Sequence, residues 1–200
     1  MVIRCVLFDA DGVVIRSKKF SHLYQKKFNV HIDNITPFFK EEFKECLVGK
    51  ADLVKSVKPW LLKWNWDKSP EDFLKFWFNA ENKVNIQIIK LIRKLKESGV
   101  KCYLATNQEK YRIRYMRKEM GFDKIFDGVF SSAEIGYRKP DANFYKFILN
   151  ELKLRENFSP EEILFFDDTE KHVLEAKKLG IESYVYKNFN SLKSVINSKI

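Results

Sequence analysis

The chain has 200 residues, 45% of them hydrophobic and 32% charged, with a formal net charge of +10. That is the length of one domain, or of one domain carrying an insertion, and 18 Phe, 8 Tyr and 4 Trp supply enough apolar surface to exclude a disordered chain. The longest charge-free run, Cys102–Gln108, is far shorter than the roughly 20 residues that span a bilayer.

In chain order, Val2–Phe8 is a near-continuous apolar run rich in β-branched residues, which predicts a strand buried on both faces. Residues 20–80 read as helical throughout and hold all four tryptophans (Trp60, Trp64, Trp66, Trp77). Within them Ser69-Pro70-Glu71-Asp72 is a helix start, with a serine cap, proline at the first position and acids in the first turn. Helix and strand then alternate. Helices are expected over Val84–Ser98, Gln108–Met120, Asp141–Leu152, Glu170–Leu179 and Ser191–Ser198. Strands are expected over Val100–Ala105, Gly128–Phe130, Ile163–Phe166 and Ser183–Tyr186. Such alternation means an α/β fold with a parallel sheet. The helical stretch after the first strand is too long for a connection and predicts an inserted unit, a lid.

Seven glycines, no two closer than seven positions, exclude both G-x-G-x-x-G and the P-loop. Residues 83–120 carry eleven Lys/Arg against three Glu, a local excess of +8. An anionic partner would explain it. Only Tyr111 and Tyr115 interleave with the arginines, too few for an RNA-stacking surface. A solvated face on amphipathic helices is the preferred reading, and no nucleic-acid or membrane partner is expected. The odd, widely spaced set Cys5, Cys46 and Cys102 suits neither a disulfide frame nor a zinc site, and no cleavable leader is evident. A cytoplasmic location is therefore expected.

Four motifs fall at the carboxyl ends of expected strands, where open α/β sheets bind ligands. They are Asp9-Ala10-Asp11-Gly12, Thr106-Asn107, Arg138-Lys139-Pro140 and Asp167-Asp168. Asp9 and Asp168 offer hard oxygens suited to Mg²⁺. Thr106, with the free amides beside Asn107 at a helix start, suits phosphate oxygens, and Lys139 supplies a cation. Asp9, Asp167, Asp168 and a phosphate dianion would repel one another unless Lys139 and a divalent cation offset them. Each motif alone has an ordinary explanation, such as a helix cap or a loop. An EF-hand starting at Asp9 fails, because Val14 and Phe20 stand where it needs Gly and Glu.

Together and in this order, Asp-x-Asp-Gly-Val-Val (9–14), Leu-Ala-Thr-Asn (104–107), Arg-Lys-Pro-Asp (138–141) and Phe-Phe-Asp-Asp (165–168) resemble the haloacid dehalogenase (HAD) superfamily of aspartyl phosphotransferases. The similarity is greatest to small sugar-phosphate phosphatases and to the phosphatase domain of epoxide hydrolases. The resemblance implies a Rossmann-like core over 1–15 and 84–200 and a small all-helical cap over 16–83. It implies Asp9 as nucleophile and Asp11 as the acid that protonates the leaving oxygen and then activates water. Thr106, Asn107 and Lys139 would hold the phosphoryl group. Mg²⁺ would be held by Asp9, the Asp11 carbonyl and Asp168, with Asp167 behind them. Asp11 would need its pKa raised, by the negative charge around it, to carry a proton at neutral pH. His172, one turn past Asp168, is read as a surface or neighbouring group rather than a ligand. Cys5 and Cys102, on buried strands, are read as inert.

The resulting expectation is a Mg²⁺-dependent phosphatase for a small phosphorylated metabolite. A phosphomutase on the same scaffold is one alternative. A non-catalytic anion- or nucleic-acid-binding protein is the other. Lys18, Lys19, His22, Lys26 and Lys50 are candidates to face the substrate, and oligomeric state stays open.

Overall fold

The computed structural model describes residues 2–16 and 20–200. The chain opens on β1 (Cys5–Phe8) and next forms α1 (Phe20–Phe28), α2 (Ile32–Lys40), α3 (Glu42–Leu47), α4 (Leu53–Leu61) and α5 (Pro70–Ala80). It then alternates: α6 (Ile86–Glu97), β2 (Lys101–Thr106), α7 (Lys110–Lys118), α8 (Phe122–Ile125), β3 (Gly128–Ser131), α9 (Ser132–Ile135), α10 (Ala142–Glu156), β4 (Ile163–Asp167), α11 (Glu170–Lys178), β5 (Glu182–Val185) and α12 (Phe189–Lys199). The five strands form one parallel sheet in the order β3-β2-β1-β4-β5. This is the expected Rossmann-like α/β architecture.

β1 is central, and its four residues are all buried, because strands covered on both faces by helices need apolar side chains on both. The strand period of two divides the core cleanly. Val6, Phe8, Cys102, Leu104, Leu164 and Phe166 pack on one face with Ile88 and Ile92 of α6 and Leu192 of α12. Cys5, Leu7, Tyr103, Ala105, Ile163 and Phe165 pack on the other with Phe144, Tyr145 and Ile148 of α10. Val2 is exposed, so β1 starts three residues later than the apolar run suggests. The four-residue helices α8 and α9 are too short to show a helical period in sequence.

Helices α1–α5 gather around a separate aromatic core that includes Phe20, Tyr24, Phe38, Trp64, Phe73 and Trp77. The Trp64 indole donates to Asn34 O and Tyr24 Oη donates to Trp64 O, so the polar edges of these buried rings are satisfied inside the unit. Trp64, Trp66 and Trp77 belong to this core and Trp60 packs against it. Ser69 caps α5 through Asp72 N, as its sequence predicts. His31 caps α2, and His22 is exposed.

The chain leaves and re-enters the sheet unit through two segments held together. Ile15 bridges Val84, Arg16 N donates to Lys83 O and Asn85 N to Val14 O. A second set of contacts joins the helical unit to α7. Asp52 accepts from Lys110 Nζ (2.6 Å) and Tyr111 Oη (2.8 Å), and Tyr115 Oη donates to Asn79. Arg112 is buried and donates to the carbonyls of Phe78 and Glu81, at the end of α5. A cation at a helix C-terminus satisfies carbonyls that have no partner in the helix. The 83–120 basic stretch is therefore not simply a solvated face: Arg112, Lys110 and Arg117 (on Glu134) are tied into the structure. Among the described residues no helix is long and apolar enough to cross a membrane.

Candidate active site

A parallel sheet puts all its strand carboxyl ends on one edge, and the four motifs meet there. β1 delivers Asp9, whose backbone N donates to Phe166 O, and β4 ends on Asp167. β2 ends on Thr106, which is buried. Lys139 reaches the same point from the loop after α9, although it is 130 residues from Asp9 in sequence.

Lys139 is 1% exposed and donates to Asp9 Oδ1 (2.7 Å), Asp167 Oδ2 (2.6 Å) and Ala105 O (2.8 Å). All three ammonium protons are engaged, so the lysine pins two carboxylates beside each other. Asn107 holds the loop that presents it: its Oδ1 accepts from Lys139 N and its Nδ2 donates to Lys139 O. The side chain of Asn107 thus braces Lys139. Asp167 is fully buried and also accepts from Thr169 N, with His172 Nδ1 2.9 Å from its Oδ1. His172 is therefore a neighbour of the carboxylate cluster and not a free surface group.

Carboxylate oxygens of Asp9, Asp167 and Asp168 lie within 4.8 Å of one another. Asp168 is the exposed member, and its Oδ1 accepts from Thr169 Oγ1. The donor set is all hard oxygen with an open, solvent-facing member, which fits a divalent cation such as Mg²⁺. Asp167 belongs to this cluster geometrically, although both its oxygens already have protein partners. The Asp11 carboxylate is not among these three and accepts from Gln108 Nε2. Gly12 has φ +90°, and a Cβ there would stand 2.1 Å from Asp168 Oδ2. Only glycine lets the first loop pass the Asp168 carboxylate at this distance.

The electrostatics follow from burial and pairing. Burial pushes the Asp9 carboxyl up to about 8, against the pull of Lys139. A bound dication would draw it back toward ionisation. Asp167 is also pushed up by burial, but Lys139 and His172 outweigh that and leave it below its usual value. Burial raises the Asp11 pKa, while Arg112 and Gln108 lower it and Asp168 adds a smaller upward push. The expected shift is present, but its main cause is desolvation by the surrounding protein, not neighbouring negative charge. Asp11 nonetheless has solvent-exposed surface on the cleft.

Gln108, Arg112 and Glu81 were not legible as site residues. Gln108 is buried and lies directly after Thr106-Asn107, so its adjacency to that motif was the available signal. Glu81 accepts from the Trp77 indole one turn earlier and from Phe20 N, the second a contact that closes only when two distant segments meet. Of the five candidates to face substrate, Lys18 and Lys19 lie outside the described residues. His22, Lys26 and Lys50 are exposed and do not line the cleft above Asp11. Lys40 does line it.

Known proteins share this fold. The chain is 36% identical over 94 residues to a sesquiterpene phosphatase of Aspergillus oryzae, which spans 46% of this chain and 44% of that protein. The chain thus matches less than half the length of that relative. It is 23% identical over 183 residues, 88% of this chain and 82% of the other, to a phosphorylated carbohydrates phosphatase of Thermotoga maritima. A HAD family enzyme of Bacteroides thetaiotaomicron superposes with a TM-score of 0.82 at 18% identity, covering 98% of this chain and 99% of that one. The same enzyme has been crystallised with magnesium and inorganic phosphate (TM-score 0.78, 20% identity, 95% and 98% covered). With the family model for haloacid dehalogenase-like hydrolases matching residues 3–180, the chain belongs to that family.

Proposed function

We propose that the chain is a Mg²⁺-dependent phosphatase that hydrolyses a small phosphorylated metabolite through an aspartyl-phosphate on Asp9. The observation that carries this reading is the Asp9 carboxylate, held by Lys139 against Asp167 and Asp168 where four strand-end segments converge. Relatives named as phosphatases, and a structural neighbour crystallised with magnesium and phosphate, support the same reaction class. Asp9, Asp168 and the Asp11 carbonyl would hold Mg²⁺, with Asp167 fixed behind them. When bound, the cation would neutralise carboxylate and phosphate charge so that a dianion can approach its nucleophile.

In this mechanism Asp9 attacks phosphorus and displaces the alkoxide, and Asp11 donates a proton to the leaving oxygen. Asp11 suits that task, because it reaches the open cleft while desolvation by the surrounding protein favours its protonated form. Asp11, now ionised, takes a proton from water, which attacks the aspartyl-phosphate and releases phosphate and Asp9. Thr106 and the backbone amides after β2 orient the phosphoryl oxygens, and Lys139 keeps Asp9 aligned. We assign residues 1–15 and 84–200 to the catalytic core and 16–83 to a cap that covers it. Three buried, unpaired cysteines suit a reducing, cytoplasmic setting.

Hydrolysis of p-nitrophenyl phosphate tests the reading. Turnover should require Mg²⁺, stop with EDTA, and fall at least 10³-fold in Asp9→Ala, in line with losses of activated nucleophiles. Beryllofluoride should form an adduct on Asp9 and not on the Ala variant. Metal-independent turnover, or full activity in Asp9→Ala, would refute it.

A further inference from the structure

The cleft above Asp11 encloses about 370 Å³, at the small end of the ~300–1,000 Å³ usual for small-molecule sites. Its floor is Asp11, Asn107 and Gln108, the reacting end. Its opposite wall comes from the helical unit and is aromatic. Phe20 stacks on Trp77 at 5.1 Å between ring centroids, Phe39 meets Trp77 at 5.2 Å, and Phe43 meets Trp77 at 5.3 Å and Phe39 at 5.4 Å. Leu47 extends the same wall. The four rings make one contiguous apolar surface facing the catalytic edge.

Among the described residues, Ser21 and Lys40 also line the cavity, at its edge, while the polar groups set against the rings themselves are already engaged. Thr36 Oγ1 donates to Ile32 O. The Trp77 indole donates to Glu81, whose other oxygen accepts from Phe20 N, so Glu81 fixes the ring plane of Trp77. Hydroxyls of a polyol pressed against these rings would lose water without gaining partners. An apolar body would instead release ordered water from both surfaces. Lys40 is the cation that lines the cavity among the described residues, and it is exposed.

We propose that the leaving group this cleft selects is a small apolar alcohol, a single aromatic ring or a short branched chain, and not a sugar or other polyol. The proposal rests on the phosphatase reading for its chemistry, but its binding half stands on the wall alone.

Primary-alcohol monophosphates of similar leaving-group acidity test it, with the full chain in Mg²⁺. Benzyl phosphate and 3-methylbutyl phosphate should exceed glucose 6-phosphate in kcat/KM by at least tenfold. The ratio of benzyl to methyl phosphate turnover should fall at least fivefold in Phe43→Ser and in Leu47→Asn, the second variant covering loss of folding in the first. Calorimetry with non-hydrolysable phosphonates measures binding apart from turnover, and benzylphosphonate should bind at least tenfold tighter than 2-hydroxyethylphosphonate. Equal affinity of the two phosphonates, or preference for glucose 6-phosphate, overturns the proposal. Absence of turnover with every ester would sink the phosphatase reading alone, because the phosphonate comparison would still decide the apolar preference.

Discussion

At Gly12 a single backbone angle decides whether the site can exist. A side chain there would meet both an unfavourable φ and the Asp168 carboxylate. Gly12→Ala should cost about 1–3 kcal/mol in urea unfolding from strain and displace Asp168, so Mg²⁺-dependent activity should fall at least tenfold. Normal activity in a folded Gly12→Ala protein would show that the loop has slack. Glu109 offers a second residue-scale test. It is buried at the start of α7, where its carboxylate accepts from Tyr111 N and Arg112 N, and burial pushes its pKa up to about 7. A folded-state pKa above the unfolded value means the folded chain holds the proton longer. Stability therefore falls as pH rises from about 4.5 to about 7, and the full cost applies above that. Glu109→Gln cannot titrate, so its stability loss between pH 5 and pH 8 should be smaller than that of the wild type by up to about 3 kcal/mol. Identical pH slopes in chemical denaturation would contradict this.

Between elements, α7 and α5 are joined by one buried cation. Arg112 donates to two carbonyls at the end of α5 and lies over the rings of Phe78 and Tyr115. Arg112→Leu should destabilise by about 2–4 kcal/mol, since charged hydrogen bonds are lost and buried carbonyls are left unpaired. By contrast the Asp52–Lys110 pair is partly solvated, and Asp52→Asn should cost less than about 1 kcal/mol. A larger effect at Asp52 than at Arg112 in urea melts would reverse this ranking. Gly49 marks a tighter docking point, where a Cβ would stand 2.5 Å from Ala133 O of α9. The helical unit therefore touches the sheet unit through specific contacts on α7 and α9.

For the whole molecule, the net charge of +10 conceals a concentrated negative centre. Three carboxylates crowd together at the sheet edge, and only two of them, Asp9 and Asp167, pair with Lys139; such a cluster stores repulsion that a cation relieves. Thermal denaturation should show a Tm rise of about 5 °C or more when Mg²⁺ is in hundredfold excess over its Kd. Asp168→Asn should abolish that rise while leaving the metal-free Tm at or above the wild-type value. An undiminished rise in Asp168→Asn would move the cation elsewhere.

The sequence by itself determined the fold class and which motifs meet at the strand ends. Alternating apolar strands and amphipathic helices leave a parallel sheet as the way to bury both faces, and a parallel sheet puts Asp9, Thr106, Lys139 and Asp167 on one edge. It also marked the long helical stretch after the first strand. What only the tertiary structure decided lies wherever residues distant in sequence touch. Arg112 looks like one more basic residue until the end of α5 closes over it. Asn107 becomes a brace for Lys139, Gln108 a partner for Asp11, and burial the main cause of the Asp11 shift. Local spacing encodes which residues share a strand end or a helix face. It does not encode how the helical unit docks, and docking sets the desolvation, the hydrogen-bond partners and the aromatic wall of the cleft.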